Sequence, residues 1–238
     1  MRVAVVTGAS SGIGAALSRA LRARDWTVVG LSRSPAPDAD EHEECDVSDR
    51  AAVDAVAARV LERHPSLGLL VNNAGIGGRQ TFVGAEPELI EALVRTNYLG
   101  GVWCLRAFLP GLEEGSHVVN IASVAGLVAV GPYSAAKHAQ VAFSRSLAVE
   151  LAQRRISVHT INPGFVETPG FPQRGRFKGP AYRLVARPEL VVERTLAAID
   201  HGRCEVVVPR WYAPSAWFQA LAPGAMARLL TRARPPAS

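Results

Sequence analysis

The sequence is poor in cysteine and has no long apolar run, and each shortage removes a class of protein. Three cysteines in 238 residues, Cys45, Cys104 and Cys204, are odd in number, far apart and never in a C-x-x-C pair. That argues against a disulfide framework and for a reducing compartment. None of the six histidines stands at metal-ligand spacing from them, so no metal is expected. No apolar stretch reaches the length of a membrane span, and the chain opens directly on a strand-like pattern with no leader signature. A cytoplasmic protein is expected. The formal net charge is +5, but arginine and lysine are dispersed, apart from Arg174 to Lys178 and the final Arg228, Arg232 and Arg234. Without a basic stripe interleaved with aromatics, nucleic acid is not expected as a partner.

What is present is an alternation of strand and helix patterns. Hydrophobic residues make up 48% and charged residues 20% of the chain, enough for a substantial core in one α/β domain. Residues 3–7 (VAVVT) read as a strand buried on both faces. They lead through Gly8-Ala9-Ser10-Ser11-Gly12-Ile13-Gly14 into a helical pattern. Strand, glycine loop and helix in that order let backbone N–H groups at a helix N-terminus cradle a pyrophosphate. The spacing is G-x-x-x-G-x-G, which differs from the general dinucleotide fingerprint.

A second strand, residues 27–31, ends at Ser32-Arg33-Ser34. An acidic residue at this position binds a ribose 2′-hydroxyl, whereas arginine accommodates a 2′-phosphate. No Asp or Glu occurs from Thr27 to Ser34. Arg33, with Ser10 or Ser34, therefore points to NADP(H) over NAD(H). A polar loop, residues 35–44, follows, then Cys45-Asp46-Val47 and a helix from Asp49 to His64. The next strand, residues 67–71, ends in Asn72-Asn73-Ala74-Gly75, small and amide residues that leave room for a flat ligand.

The helical pattern from Pro87 to Leu109 carries Asn97 and the pair Gly100-Gly101 in its interior. Each glycine costs roughly 1 kcal/mol relative to alanine, and a polar Asn in an apolar stretch needs partners. That tension predicts a distortion at a functional position. Further on, HVVNIAS reads as a strand ending at Ser123. Tyr133 and Lys137 follow, four apart on a helix, so their side chains leave the same face. A neighbouring ammonium favours the ionised phenol and lowers its pKa, equipping Tyr133 to exchange a proton with a substrate oxygen that Ser123 also bonds. ISVHTIN, a Pro/Gly/Arg-rich segment at 169–187, a helix from Pro188 to Asp200 and the strand CEVVVP complete the pattern.

With these motifs in order, the chain resembles the short-chain dehydrogenase/reductase family over residues 1–210. The matching stretches are TGASSGIG (7–14), NNAG (72–75), Asn97, IASVAG (121–126), YSAAK (133–137) and NPGFVET (162–168). The resemblance implies a doubly wound, mainly parallel sheet of about seven strands with helices on both faces. It implies hydride transfer between NAD(P)(H) and a ketone or aldehyde and its alcohol. Tyr133 would be the general acid/base, Ser123 would polarise the carbonyl, and Asn97 would support a water-linked proton path. Lys137 would lower the Tyr133 pKa and bond the nicotinamide ribose. Gly8, Gly12, Ile13 and Gly14 would hold the pyrophosphate, with Ser10 and Ser11 of the same loop among the cofactor-binding residues. Asp46 and Val47 would flank the adenine, and Asn73, Ala74 and Gly75 the ribose. Pro163, Gly164, Val166 and Thr168 would hold the nicotinamide end. A homodimer or homotetramer is implied as well.

Residues 169–187 are expected to form a lid. Residues 211–238 form an aromatic and basic tail expected to pack on the chain's own core, a partner subunit or the substrate entrance, with a membrane surface as the alternative. The substrate is a small carbonyl or alcohol, with an apolar one suggested by the tail. A catalytically silent nucleotide sensor or scaffold of the same fold is the competing reading.

Overall fold

The computed structural model describes residues 2–173 and 179–233. The basic cluster at 174–178, part of the expected lid, and Arg234 lie outside the described residues.

Seven parallel strands form one sheet in the order β3-β2-β1-β4-β5-β6-β7. They are β1 (Arg2–Thr7), β2 (Trp26–Ser32), β3 (Glu41–Glu44), β4 (Leu67–Asn72), β5 (Leu112–Ile121), β6 (Ser157–Pro163) and β7 (Glu205–Val208). The order reverses between β1 and β4, and such a reversal opens a crevice outside the carboxyl ends of the strands.

Alternate residues of each strand feed opposite cores, as a period of two requires. Val3 and Val5 of β1 pack with α2 (Arg50–Arg63), α4 (Gly100–Phe108) and α5 (Gly131–Ala152) through Val53, Phe108 and Leu147. Ala4 and Val6 pack on the other face with α1 (Gly12–Arg22) and α6 (Pro188–Asp200) through Leu17, Leu21 and Val192. Burying side chains of this size is worth about 1.5–3 kcal/mol each, so the two layers together hold the sheet and its carboxyl edge in place.

Two elements differ from, or refine, the sequence reading. β3 lies in what reads as a polar loop, because its sequence, EHEE, has no apolar alternation. It is an edge strand held by charge: Glu43 accepts from Arg59 (2.7 Å) and Arg63 (2.7 Å), and His64 bonds Glu41 (2.7 Å). Charged edges of this kind also discourage pairing with other chains. The distortion expected around Asn97 is a π-helical turn, Arg95–Leu99, between α3 (Pro87–Val94) and α4, with the Gly100 N–H bonded to the Arg95 carbonyl.

After β7, a turn leads into α7 (Ala213–Leu221) and α8 (Pro223–Ala233). Among the described residues no helix is long and apolar enough to cross a membrane. All three cysteines are free thiols. Burial pushes Cys45 up to about 11 and raises Cys104 further, so neither is a reactive thiolate.

Candidate active site

One cleft of about 1260 Å³ runs along the carboxyl edge of the sheet. At its β1 end, Gly8 and Gly12 have positive φ (66° and 59°), a conformation that favours glycine. Crowding explains them as well as backbone shape. A Cβ on Gly8 would stand 2.9 Å from Asn73 Nδ2 and the Ala74 Cα, and one on Gly12 would stand 3.1 Å from Thr168. The N-cap of α1, Ser11, makes no side-chain cap bond, and the first turn carries no acidic residue. Those first-turn N–H groups therefore face the cleft without a side-chain acceptor, which suits an anionic group.

The end of β4 is stapled to this loop. Thr7 Oγ1 accepts from the N–H groups of Asn73 (2.9 Å) and Ala74 (3.0 Å) and donates to the Val71 carbonyl (3.2 Å). Asn73 Nδ2 donates to the Thr7 carbonyl (2.9 Å). Asn97, 1% exposed, performs the same service one loop on. Its Oδ1 accepts from Ile76 N–H (3.1 Å) and its Nδ2 donates to the Ile76 carbonyl (3.0 Å).

Ser123, Tyr133 and Lys137 meet at the end of β5. Ser123 Oγ accepts from Ala125 N–H (3.1 Å), reaches the Pro163 carbonyl (3.4 Å) and is hydrogen-bonded to the Tyr133 hydroxyl. Lys137 Nζ donates to the Ile121 carbonyl (3.1 Å) and to Gln140 Oε1 (2.8 Å), and stands 5.9 Å from the Tyr133 ring centroid. Burial raises the Tyr133 phenol above its ordinary value, with the Ser123 bond pulling it back, and burial brings Lys137 down to about 7. The expected lowering of Tyr133 by Lys137 is not found: desolvation raises the phenol and only the Ser123 bond opposes it. Beneath the triad a buried polar ladder ties β4, β5, α5 and β6 together. Asn72 donates to Asn120 (2.9 Å), Asn120 to Ser144 (2.8 Å), and Ser144 meets Thr160 (2.7 Å).

Of the residues chosen from sequence, nineteen of the twenty line this cleft; the exception is Gly14. A Cβ there would fall 2.2 Å from the Gly8 carbonyl oxygen, so Gly14 lets α1 sit close to the glycine loop and does not face a ligand. Arg33 lies at the far end, its side chain 70% exposed, with Nη1 3.8 Å from Asp46 Oδ2. The expected lid is tied to the segment after β6 by two bridges, Ala186 to Val166 and Phe171 to Thr168.

Sequence reasoning missed the other wall. Phe171 stacks on Tyr133 with ring centroids 6.0 Å apart, and Arg79 lies over Phe171 while donating to the Pro172 carbonyl (2.9 Å). Tyr212 packs so closely on Gly164 that a Cβ there would be 2.2 Å from its ring. Met226, Leu229 and Leu230 of α8 complete the wall. The expected lid at 169–187 and the tail pointed to these segments without naming these residues.

A family profile described as short chain dehydrogenase matches residues 2–178. The chain is 30% identical to dehydrogenase/reductase SDR family member 7B of Bos taurus over 264 aligned residues, covering 98% of this chain and 81% of that protein. It is 36% identical to a monensin polyketide synthase putative ketoacyl reductase of Streptomyces virginiae, covering 85% and 84%. A short chain dehydrogenase from Burkholderia cenocepacia, solved in complex with NADP, superposes with a TM-score of 0.83 at 29% identity, covering 97% of this chain and 100% of that one.

Proposed function

The chain belongs to the short-chain dehydrogenase/reductase family, a family of oxidoreductases, and from that premise we propose that it reduces an apolar ketone or aldehyde with NADPH, using Tyr133 as proton donor. The observation that carries the reading is the meeting of Ser123, Tyr133 and Lys137 in the same cleft as an uncapped helix N-terminus behind a glycine loop.

The residues fit a nicotinamide dinucleotide. Without Cβ atoms Gly8 and Gly12 seat the loop closely on Asn73, Ala74 and Thr168, behind first-turn N–H groups of α1 that suit a pyrophosphate, and Arg33 with Ser10 offers a cation and a hydroxyl for a 2′-phosphate. The NADP-bound Burkholderia relative and the ketoacyl reductase of Streptomyces virginiae support cofactor and reaction class alike. When bound, such a cofactor supplies or accepts a hydride at the substrate carbon.

Everything else falls to the chain. Ser123 and Tyr133 share a hydrogen bond, so a carbonyl oxygen held between them accepts from both hydroxyls, and the charge that develops on it is stabilised where it forms. Tyr133 Oη gives up its proton in reduction and takes one back in oxidation. A phenol raised by burial favours the protonated, donating form. As negative charge builds on its oxygen, Lys137 gains a partner for an ammonium that burial otherwise disfavours, so each offsets the other's desolvation. Asn97 positions the loop after β4 and fixes the width of the cleft. Tyr212, Ser215, Met226, Leu229 and Leu230 form the substrate wall, whose apolar members select apolar substrates.

The test is Tyr133→Phe. Turnover with a carbonyl panel falls by about 10²–10⁴-fold or more, while NADPH titration by nicotinamide fluorescence is unchanged. A variant that still turns over at the parental rate overturns the mechanism.

A further inference from the structure

Large hydrophobic side chains are mostly buried, and the exposed ones are unevenly placed. Ten stand exposed among the described residues, and five of these, Trp211, Trp217, Phe218, Leu221 and Leu229, lie in the last helices and the turn before them. On α7 they fall in register. Pro214, Trp217, Phe218 and Leu221 are all exposed, at positions i, i+3, i+4 and i+7, while Ala216 is buried. This helix has no charged residue and turns its apolar stripe outward, the reverse of an ordinary surface helix.

Charge in the same segment has one sign. No Asp or Glu follows Glu205, whereas Arg210, Arg228 and Arg232 are exposed. On α8, Met226 and Leu230, one turn apart, line the cleft, while Arg228 and Arg232, also one turn apart, are exposed to solvent. The two-sided helix therefore separates the cleft from the outer surface.

We propose that α7 and the outer side of α8 dock on an anionic lipid bilayer. Trp217, Phe218 and Leu221 enter the interfacial zone, and Arg210, Arg228 and Arg232 pair with lipid phosphates. Exposed aromatics with flanking arginines are what such an interface takes up. A second copy of the chain is the poorer occupant. A two-fold contact through this face sets arginines against arginines with no tail carboxylate to pair them. The proposal stands apart from the hydride-transfer reading, because neither set of residues is shared.

Full-length protein is co-sedimented with large vesicles of phosphatidylcholine alone and with a third of that lipid replaced by phosphatidylglycerol. Binding is expected to rise about tenfold or more on the anionic vesicles, to blue-shift tryptophan emission and to weaken with added salt. Trp217→Ser/Leu221→Ser and, separately, Arg228→Glu/Arg232→Glu each lower it about tenfold. All four side chains are exposed, so NADPH titration and circular dichroism report an intact fold in the same samples. Equal binding to both vesicle types, or full binding by the Trp217→Ser/Leu221→Ser variant, overturns the proposal. So does self-association without lipid that this variant abolishes, which assigns the face to a second copy.

Discussion

Two pairs of titratable side chains lie along the same strand and illustrate different uses of burial. Near the carboxyl end of β5, Lys137 bonds the Ile121 carbonyl and stands 5.9 Å from the ring of Tyr133, one turn away on the same helix. Four residues earlier on β5, His117 Nδ1 meets His159 Nε2 at 3.1 Å, and His159 Nδ1 meets the Arg203 carbonyl at 2.8 Å. Burial pulls both histidines below their ordinary value, as it does Lys137. The histidine pair lines no part of the cleft, whereas Lys137 lines it. A perturbed pKa therefore marks a site here only where a cavity lets a reacting group approach.

The comparison breaks most directly at catalysis. Lys137→Met is expected to lower turnover about 10²-fold or more, and His159→Asn to leave it within about twofold; steady-state rates at saturating NADPH decide. The reverse pattern would mean that the cavity criterion is wrong. Next in size is the ladder that supports the lysine's end of β5. Ser144→Ala leaves Asn120 and Thr160 short of a partner and should cost about 1–3 kcal/mol in denaturant unfolding. At the adenine end, Arg33→Ala should reduce preference for NADPH over NADH about tenfold, the effect of one exposed charge on a phosphate. No change in the ratio of the two dissociation constants sinks the 2′-phosphate assignment.

The two pairs also separate by pH. Lys137 titrates near 10.5 unfolded and about 7 folded, so it makes stability rise with pH above 7; above pH 9 the raised thiols of Cys45 and Cys104 oppose it, and the rise is read from pH 7 to 9. The histidines titrate near 6.5 unfolded and lower when folded. Their window opens below pH 6.5, where stability falls as the solution is acidified, by at most about 1.4 kcal/mol per pH unit for each. Unfolding curves of cofactor-free protein across pH should show both slopes. Lys137→Met removes the upper one and His117→Gln/His159→Asn the lower.

What could be read from sequence was local. A tyrosine and a lysine four apart on a helix, a glycine loop after a strand, and an Asn among apolar residues beside two glycines each impose a backbone or partner requirement that neighbours in sequence reveal. The glycines of that loop look alike in sequence, however. Only packing separates Gly8 and Gly12, which face the cleft, from Gly14, which is pressed against the Gly8 carbonyl. Phe171, Tyr212 and Met226 lie far along the chain from Tyr133, and nothing in their own surroundings tells which cavity they will face. β3 was hidden for the opposite reason. Its four polar residues carry no alternation, and the arginines that hold it come from α2.

The π-turn at Arg95–Leu99 has a consequence for how this chain can vary. The widened turn takes up one residue more than a regular α-helical turn, so α3 and α4 keep their phase across it. Deleting a residue from the regular turns of α3 or α4 instead would rotate what lies beyond it by about 100°. The two bonds from Asn97 to Ile76 depend on that joint, and so does the close seating of Gly100 on Val47, where a Cβ would be 2.8 Å away. Both cannot survive the rotation. Surface loops tolerate gain and loss of several residues at little cost, but here the count is fixed to a single residue, so a deletion in this helix would open the cleft wall while leaving every catalytic side chain in the sequence.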